Sequence, residues 1–308
     1  MNEPLVSIVM ATYNGAAYLE EQLESLFIQT YPAIEIIASD DCSTDNTLDI
    51  LLKYEAAHKN FKVIKNTTNL GYIKNFEQVM AAASGEYIAP CDQDDTWDCN
   101  KVTLMVQAIG EYPMVYCDSE LVNDKLQPYG KRLSDKKEMA TYTNCLVFAT
   151  DNCVAGHATL IRRRMLLTAF PFPDRVPHDW WLSYVATLHG GIKFIDIPLA
   201  KYRAHANNIT GGIKKNRRTI SQRIQKIKEE RQIIKERMQI FYEKCPNSLG
   251  KEKVVIQKLI KSYSSISVVN NFNRVKLFFT YKHYFLAIKK CSVAYKYFFC
   301  IKMFFKIR

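Results

Sequence analysis

An alternation of short apolar strands and amphipathic helices over the first ninety residues constrains this chain more than any other feature. Residues 5–10 are apolar and rich in β-branched side chains, and the polar turn Thr12-Tyr13-Asn14-Gly15 follows them. Residues 16–29 then place Leu19, Leu23, Leu26 and Phe27 on one helical face. A second strand at 34–39 ends in Asp40-Asp41-Cys42-Ser43-Thr44-Asp45, before a helix over 47–58. A third at 61–64 leads through Asn69-Leu70-Gly71 to a helix over 73–83. A fourth at 86–90 runs into Asp92-Gln93-Asp94-Asp95. This spacing predicts an α/β fold, a mostly parallel sheet flanked by helices. Ligands of such sheets sit beyond the carboxyl ends of the strands, so the four polar loops should converge on one crevice.

At 308 residues and 48% hydrophobic, the chain can form one large domain with an appendage. Its nine cysteines show neither Cys-x-x-Cys nor a metal-ligand spacing, and the N-terminus has no basic, apolar leader. Both features suit a reducing cytoplasm. Neither Gly-x-Gly-x-x-Gly nor a Walker motif is present, which excludes an ordinary dinucleotide site and a P-loop.

Charge divides the chain in two. From Gly211 onward there are 24 Lys or Arg against 5 Asp or Glu; before it the balance is 18 against 26. Ile220, Ile224, Ile227, Ile234, Met238 and Phe241 recur at helical spacing in the basic part. The expected organisation is therefore a body over 1–212 and a basic, aromatic-rich helical extension over 213–308. No stretch of that extension reaches the roughly 20 apolar residues of a bilayer span. Lysines interleaved with Phe and Tyr suit an anionic membrane surface, or a helical pair packed on the body. No nucleic-acid partner is expected. The location this implies is cytoplasmic, peripheral on the inner face of the plasma membrane.

Asp92, Asp94 and Asp95 crowd carboxylates at a strand end, where a divalent cation would hold them ionised. Oxygen ligands suit Mg2+ or Mn2+, and such ions bind diphosphates. The competing explanation is a solvated acidic turn that caps a helix. Asp40 could accept hydrogen bonds from a base or ribose, or could cap the helix after it. In His178-Asp179-Trp180-Trp181, Asp179 stands at a helix start, as a cap or a general base, and either tryptophan could stack on a sugar.

These blocks, in this order and spacing, resemble family-2 glycosyltransferases with the GT-A fold. Residues 178–181 and 202–211, which include Tyr202-Arg203-Ala204-His205, resemble the later part of a rhamnosyltransferase-like branch. The resemblance covers about residues 4–212 and leaves out the basic extension. It implies an inverting transfer from a UDP- or dTDP-linked sugar donor to a glycan or lipid-linked acceptor, in cell-surface polysaccharide synthesis. By the same resemblance Thr12, Tyr13, Asn14, Asp40, Asn69 and Asp92 would bind the nucleotide-sugar. Asp94 and His205 would hold the Mg2+ or Mn2+. Asp179 would be the catalytic base, with His178, Trp180 and Trp181 beside the acceptor. Asp95 would be a helix cap or a supporting residue. Cys42 departs from the family, which usually has Gly there, and a turn that wants positive φ suits Cys less well. A nucleotidyltransferase of similar fold and a non-catalytic membrane adaptor are the alternatives. The first would normally carry a Gly-rich basic loop after its first strand, and the second has no need of three acidic loops.

Overall fold

A computed structural model describes residues 3–203, 220–265 and 267–305. The expected units form in order: β1 (Val6–Thr12), α1 (Ala16–Phe27), β2 (Ile34–Asp40), α2 (Thr47–Ala57), β3 (Phe61–Lys65), α3 (Tyr72–Ala81) and β4 (Tyr87–Cys91). After them come β5 (Thr96–Trp97), α4 (Lys101–Ile109), β6 (Met114–Val122), β7 (Pro128–Arg132), β8 (Thr159–Arg162), α5 (Arg163–Ala169), α6 (His178–Leu188) and β9 (Ile192–Arg203). The strands make one sheet in the order β3-β2-β1-β4-β8-β6-β9-β5, with β7 paired to β6. β3, β2, β1 and β4 run parallel, as the strand–helix spacing requires. Beyond β4 the sheet is mixed: β8 is antiparallel to both β4 and β6, and β9 is parallel to β6.

Register places the site. Thr12 lies opposite Asp40, Asp40 opposite Lys65, and Met10 opposite Cys91. The loops after β1, β2, β3 and β4 therefore leave the sheet at one edge. β1 is almost wholly buried, which is why it reads as a continuous apolar run. α1 closes over one face with Leu19, Leu23 and Leu26.

The basic part forms α7 (Ile220–Lys244), α8 (Gly250–Ser262), α9 (Val268–Thr280), α10 (Lys282–Phe285) and α11 (Val293–Lys302). It packs on the body through one continuous apolar core. Tyr116, Trp181 and Tyr184 of the body share that core with Met238, Phe241, Ile256, Leu259 and Phe285. Phe241 stacks on Tyr184 at 4.1 Å between ring centres, and the Tyr184 hydroxyl donates to the Phe241 carbonyl. The helical stripe expected in α7 is buried from Ile234 onward, whereas Ile227 is 41% exposed. The expected boundary at 212–213 lies outside the described residues, as does His205. No helix of the described residues is long and apolar enough to cross a membrane.

Candidate active site

The first two loops brace each other. Three successive backbone N–H groups, of Asn14, Gly15 and Ala16, donate to Ser43 Oγ, Thr47 Oγ1 and Asp45 Oδ2 at 2.9, 2.8 and 3.2 Å. These bonds occupy donors that the start of α1 would otherwise leave open. In return the Asn14 side-chain carbonyl accepts from Thr44 N. Asp40 is buried, and it accepts from the hydroxyls of Thr12 and Ser43 and from Ser43 N. Asp41 accepts from Asn66 Nδ2, Leu70 N and Gly71 N, so it holds the third loop. Asn69 donates to the Asp41 carbonyl and accepts from Gly71 N. Cys42 does adopt the left-handed backbone foreseen for it, at φ 62°. Thr12 and Asp40 are thus buried, while Tyr13 stays about half exposed at the rim.

The acidic loop is tied to this pair. Gln93 bonds the Tyr13 backbone through both ends of its amide. A Cβ on Gly15 would meet the Gln93 amide at 2.3 Å, so a side chain there would have to displace that amide. Buried Arg203 holds the other side: its N–H donates to Asp95 Oδ1, its Nε to the Asp94 carbonyl, and its terminal nitrogens reach Glu21 and the Asp124 carbonyl.

Within this frame the described residues bring Asp92, Asp95 and His157 together, with one ligand atom from each inside 4.8 Å. His157 Nδ1 lies 3.0 Å from Asp95 Oδ2 and 3.3 Å from Asp92 Oδ2. Its Nε2 pairs with Ser119 Oγ at 2.9 Å, and Lys101 Nζ donates to its carbonyl. Burial alone would make His157 harder to protonate; Asp95 and Asp92 outweigh that and raise its pKa. Burial drives Asp95 up to about 7, against His157 and with help from Asp92 and Asp94. Asp92 goes the other way: burial opposes ionisation, but the His157 hydrogen bond and charge lower its pKa. Asp92 is also the member open to solvent, with about a third of its side chain exposed. Asp94 stands outside this group.

Asp179 opens α6 next to the same centre. Burial raises its carboxyl to about 7; the Trp180 N–H lowers it and the Asp92 charge raises it. His178 is buried between Phe76, stacked at 4.1 Å, and the Cα of Gly156. Burial depresses it to about 4, against the pull of Asp92, so it is neutral near pH 7. Among the described residues, neither of its ring nitrogens has a hydrogen-bond partner. Trp180 and Trp181 correct the expectation of stacking on a sugar. Both are buried; their indole N–H groups donate to the carbonyls of Phe148 and Ala169. Arg237 covers the Trp180 ring, and Trp181 packs in line with Tyr184 and Phe241. An apolar helix face with partners on every side becomes core, and α6 is such a helix.

A sequence profile described as "Glycosyl transferase family 2" matches residues 7–169, more than half of the chain. The chain belongs to glycosyl transferase family 2. Among its relatives, the putative teichuronic acid biosynthesis glycosyltransferase TuaG of Bacillus subtilis is 35% identical over 216 residues, covering 68% of this chain and 82% of TuaG. The dTDP-rhamnosyl transferase RfbG of Shigella flexneri is 31% identical over 216 residues, covering 66% of this chain and 73% of RfbG. This family member spans 60% of the length of three uncharacterized mycobacterial relatives, at 31% identity over 209 residues. The crystal structure of S. aureus TarS 1-349 in complex with UDP-GlcNAc superposes with a TM-score of 0.62 at 19% identity, covering 97% of this chain and 80% of that one. That likeness is one of fold, and the fold of this family 2 member is the GT-A type.

The donor set suits a hard divalent cation. Ligands at neighbouring corners of an octahedron around a metal 2.1 Å away lie about 3 Å apart, close to the spacing of His157 with Asp95 and Asp92. Asp95 Oδ2 is also buried and, among the described residues, accepts no hydrogen bond, His157 Nδ1 lying 3.0 Å away. The two carboxylates suit Mg2+ or Mn2+, whereas the imidazole favours a transition metal over Mg2+. Sequence reasoning missed His157, Gln93 and Arg203. His157 stands 65 residues from Asp92 with no motif of its own, and the only local sign is Gly156 before a strand.

Proposed function

We propose that the chain is an inverting glycosyltransferase that moves a sugar from a nucleoside-diphosphate donor to a hydroxyl of a glycan or lipid-linked acceptor in cell-surface polysaccharide synthesis. The observation that carries this reading is the solvent-open carboxylate of Asp92, grouped with Asp95 and His157, within electrostatic reach of Asp179 in the first turn of α6. The names of TuaG and RfbG point the same way. RfbG and the late sequence blocks favour a dTDP-linked deoxyhexose; TarS, whose complex holds UDP-GlcNAc, favours a UDP donor.

In this reading Thr12, Tyr13 and Asn14 line the nucleotide side, with Asp40 behind them and Asn69 at the rim. Asp92 contacts the donor and, with Asp95 and His157, holds the cation; Asp94 and His205 are further candidates. The cation, when bound, neutralises charge on the leaving diphosphate. Asp179 removes the proton of the acceptor hydroxyl as the hydroxyl oxygen attacks the anomeric carbon from the face opposite the diphosphate. A carboxyl near pKa 7 is well matched to that task at neutral pH. In this reading His178, buried against Phe76, lies behind Asp179 and does not meet the acceptor.

The test is release of nucleoside diphosphate from a panel of UDP-, dTDP- and GDP-sugars with Mn2+ or Mg2+. Turnover of one donor is expected, with loss of transfer in Asp179→Asn. Inertness toward the whole panel, or full transfer by Asp179→Asn, overturns the proposal.

A further inference from the structure

After Glu252 the chain has no acidic residue, while twelve Lys or Arg follow. The helices in this stretch bury one face against the body. On α11, Cys300 and Met303 point inward and are fully buried. The opposite side carries Ala294, Phe298, Ile301 and Phe305, spaced 4, 3 and 4 residues apart, an apolar stripe at helical period. Phe298 and Ile301 are about half exposed and Phe305 is 83% exposed. The stripe continues onto α9: the Phe304 ring lies 4.9 Å from both Phe305 and Phe272, and Phe272 is exposed beside Val268 and Val269. Lysines border it. Lys302 sits over the rings of Phe298 and Tyr295, and Lys276 is exposed one turn along from Phe272.

We propose that this outward face of α9 and α11 is the surface by which the protein docks on an anionic lipid bilayer. Exposed aromatics rimmed by Lys, with no carboxylate in the segment, match a lipid headgroup layer in both polarity and charge. A protein–protein interface is ordinarily depleted of Lys around its apolar core. The inference goes beyond the transfer chemistry and does not depend on it.

Vesicle sedimentation of the full chain tests it, with phosphatidylglycerol–phosphatidylcholine mixtures against pure phosphatidylcholine. Wild type should sediment with the anionic vesicles only, and raised salt should release it. The triple variant Phe298→Ser, Ile301→Ser, Phe305→Ser should lose at least about tenfold in partitioning, since three exposed apolar side chains leave the interface. Leu167→Ser removes an equally exposed leucine on α5 and should change nothing. Thermal melting of the triple variant, expected to match wild type, separates docking from misfolding. The proposal is overturned if wild type ignores anionic vesicles or the triple variant still binds them. It is equally overturned if the stripe instead holds a dimer that the triple variant dissolves, or a mixed-sequence RNA in place of lipid.

Discussion

The side-chain amide of Gln93 hydrogen-bonds both polar groups of the Tyr13 backbone: Oε1 accepts from the N–H at 2.9 Å and Nε2 donates to the carbonyl at 3.1 Å. One residue of the acidic loop thereby substitutes for a strand partner and fixes the loop after β1 against the loop after β4. Gly15 leaves the space that this amide fills.

Gln93→Ala should raise the donor KM several-fold with a smaller effect on kcat, because it frees the nucleotide-side loop and leaves Asp179 untouched. Gly15→Ala should be as harmful, since its methyl displaces the amide. The two changes together should cost less than their sum, by about 1 kcal/mol in a double-mutant cycle. Simple additivity in steady-state kinetics would contradict the clamp.

Asp179 must be ionised to accept a proton, and burial places its pKa at about 7. The wild-type kcat/KM should therefore be half-maximal near pH 7 and fall about tenfold per unit below it. Asp179→Asn should lower transfer by about 10²–10⁴-fold while nucleotide binding, read by calorimetry, persists. A flat profile between pH 5 and 8 would remove Asp179 from this role.

His157 is the buried partner that Asp92 and Asp95 share. His157→Ala should destabilise the fold by about 3–5 kcal/mol at neutral pH, because it leaves a buried carboxylate without its partner. Saturating Mn2+ should stabilise the wild type through linkage, by about 2.7 kcal/mol at a hundred times Kd, and so raise its melting temperature. Asp92→Asn should abolish that rise. A wild-type melting temperature indifferent to Mn2+ and Mg2+ would argue for an internal ion pair alone.

Cys42 holds a left-handed backbone that disfavours side chains by about 1–2 kcal/mol. Cys42→Gly should stabilise the protein by about 0.5–1 kcal/mol, the relief being partly offset by the freer unfolded chain. Cys42→Ala keeps the Cβ and should show no gain. Urea denaturation separates the two.

Phe241→Ala should cost about 3–5 kcal/mol, since its ring is fully buried between the body and α7. Limited proteolysis of this variant should release the helical segment and open the body together. Loss of the helices with a body still cooperatively folded would indicate two independent cores.

Much of this protein follows from local pattern. The strands of the first ninety residues, the polar loop after each and the common edge of those loops rest on periodicities of 2 and 3.6 and on short connections. The acidic cluster and Asp179 stand out for the same reason, as polar residues where an apolar element begins or ends. Partners distant in sequence leave no such trace. His157 reaches Asp92 only because β8 runs antiparallel beside β4, and Arg203 reaches Asp95 across 108 residues through β9. Trp180 and Trp181 have the composition of a sugar platform, but the packing of α6 against α7 buries them. The charge of the last helices is set by the sequence alone; which of their aromatics face inward was decided by the shared core, because only contact with the body distinguishes Phe241 and Phe285 from Phe298 and Phe305.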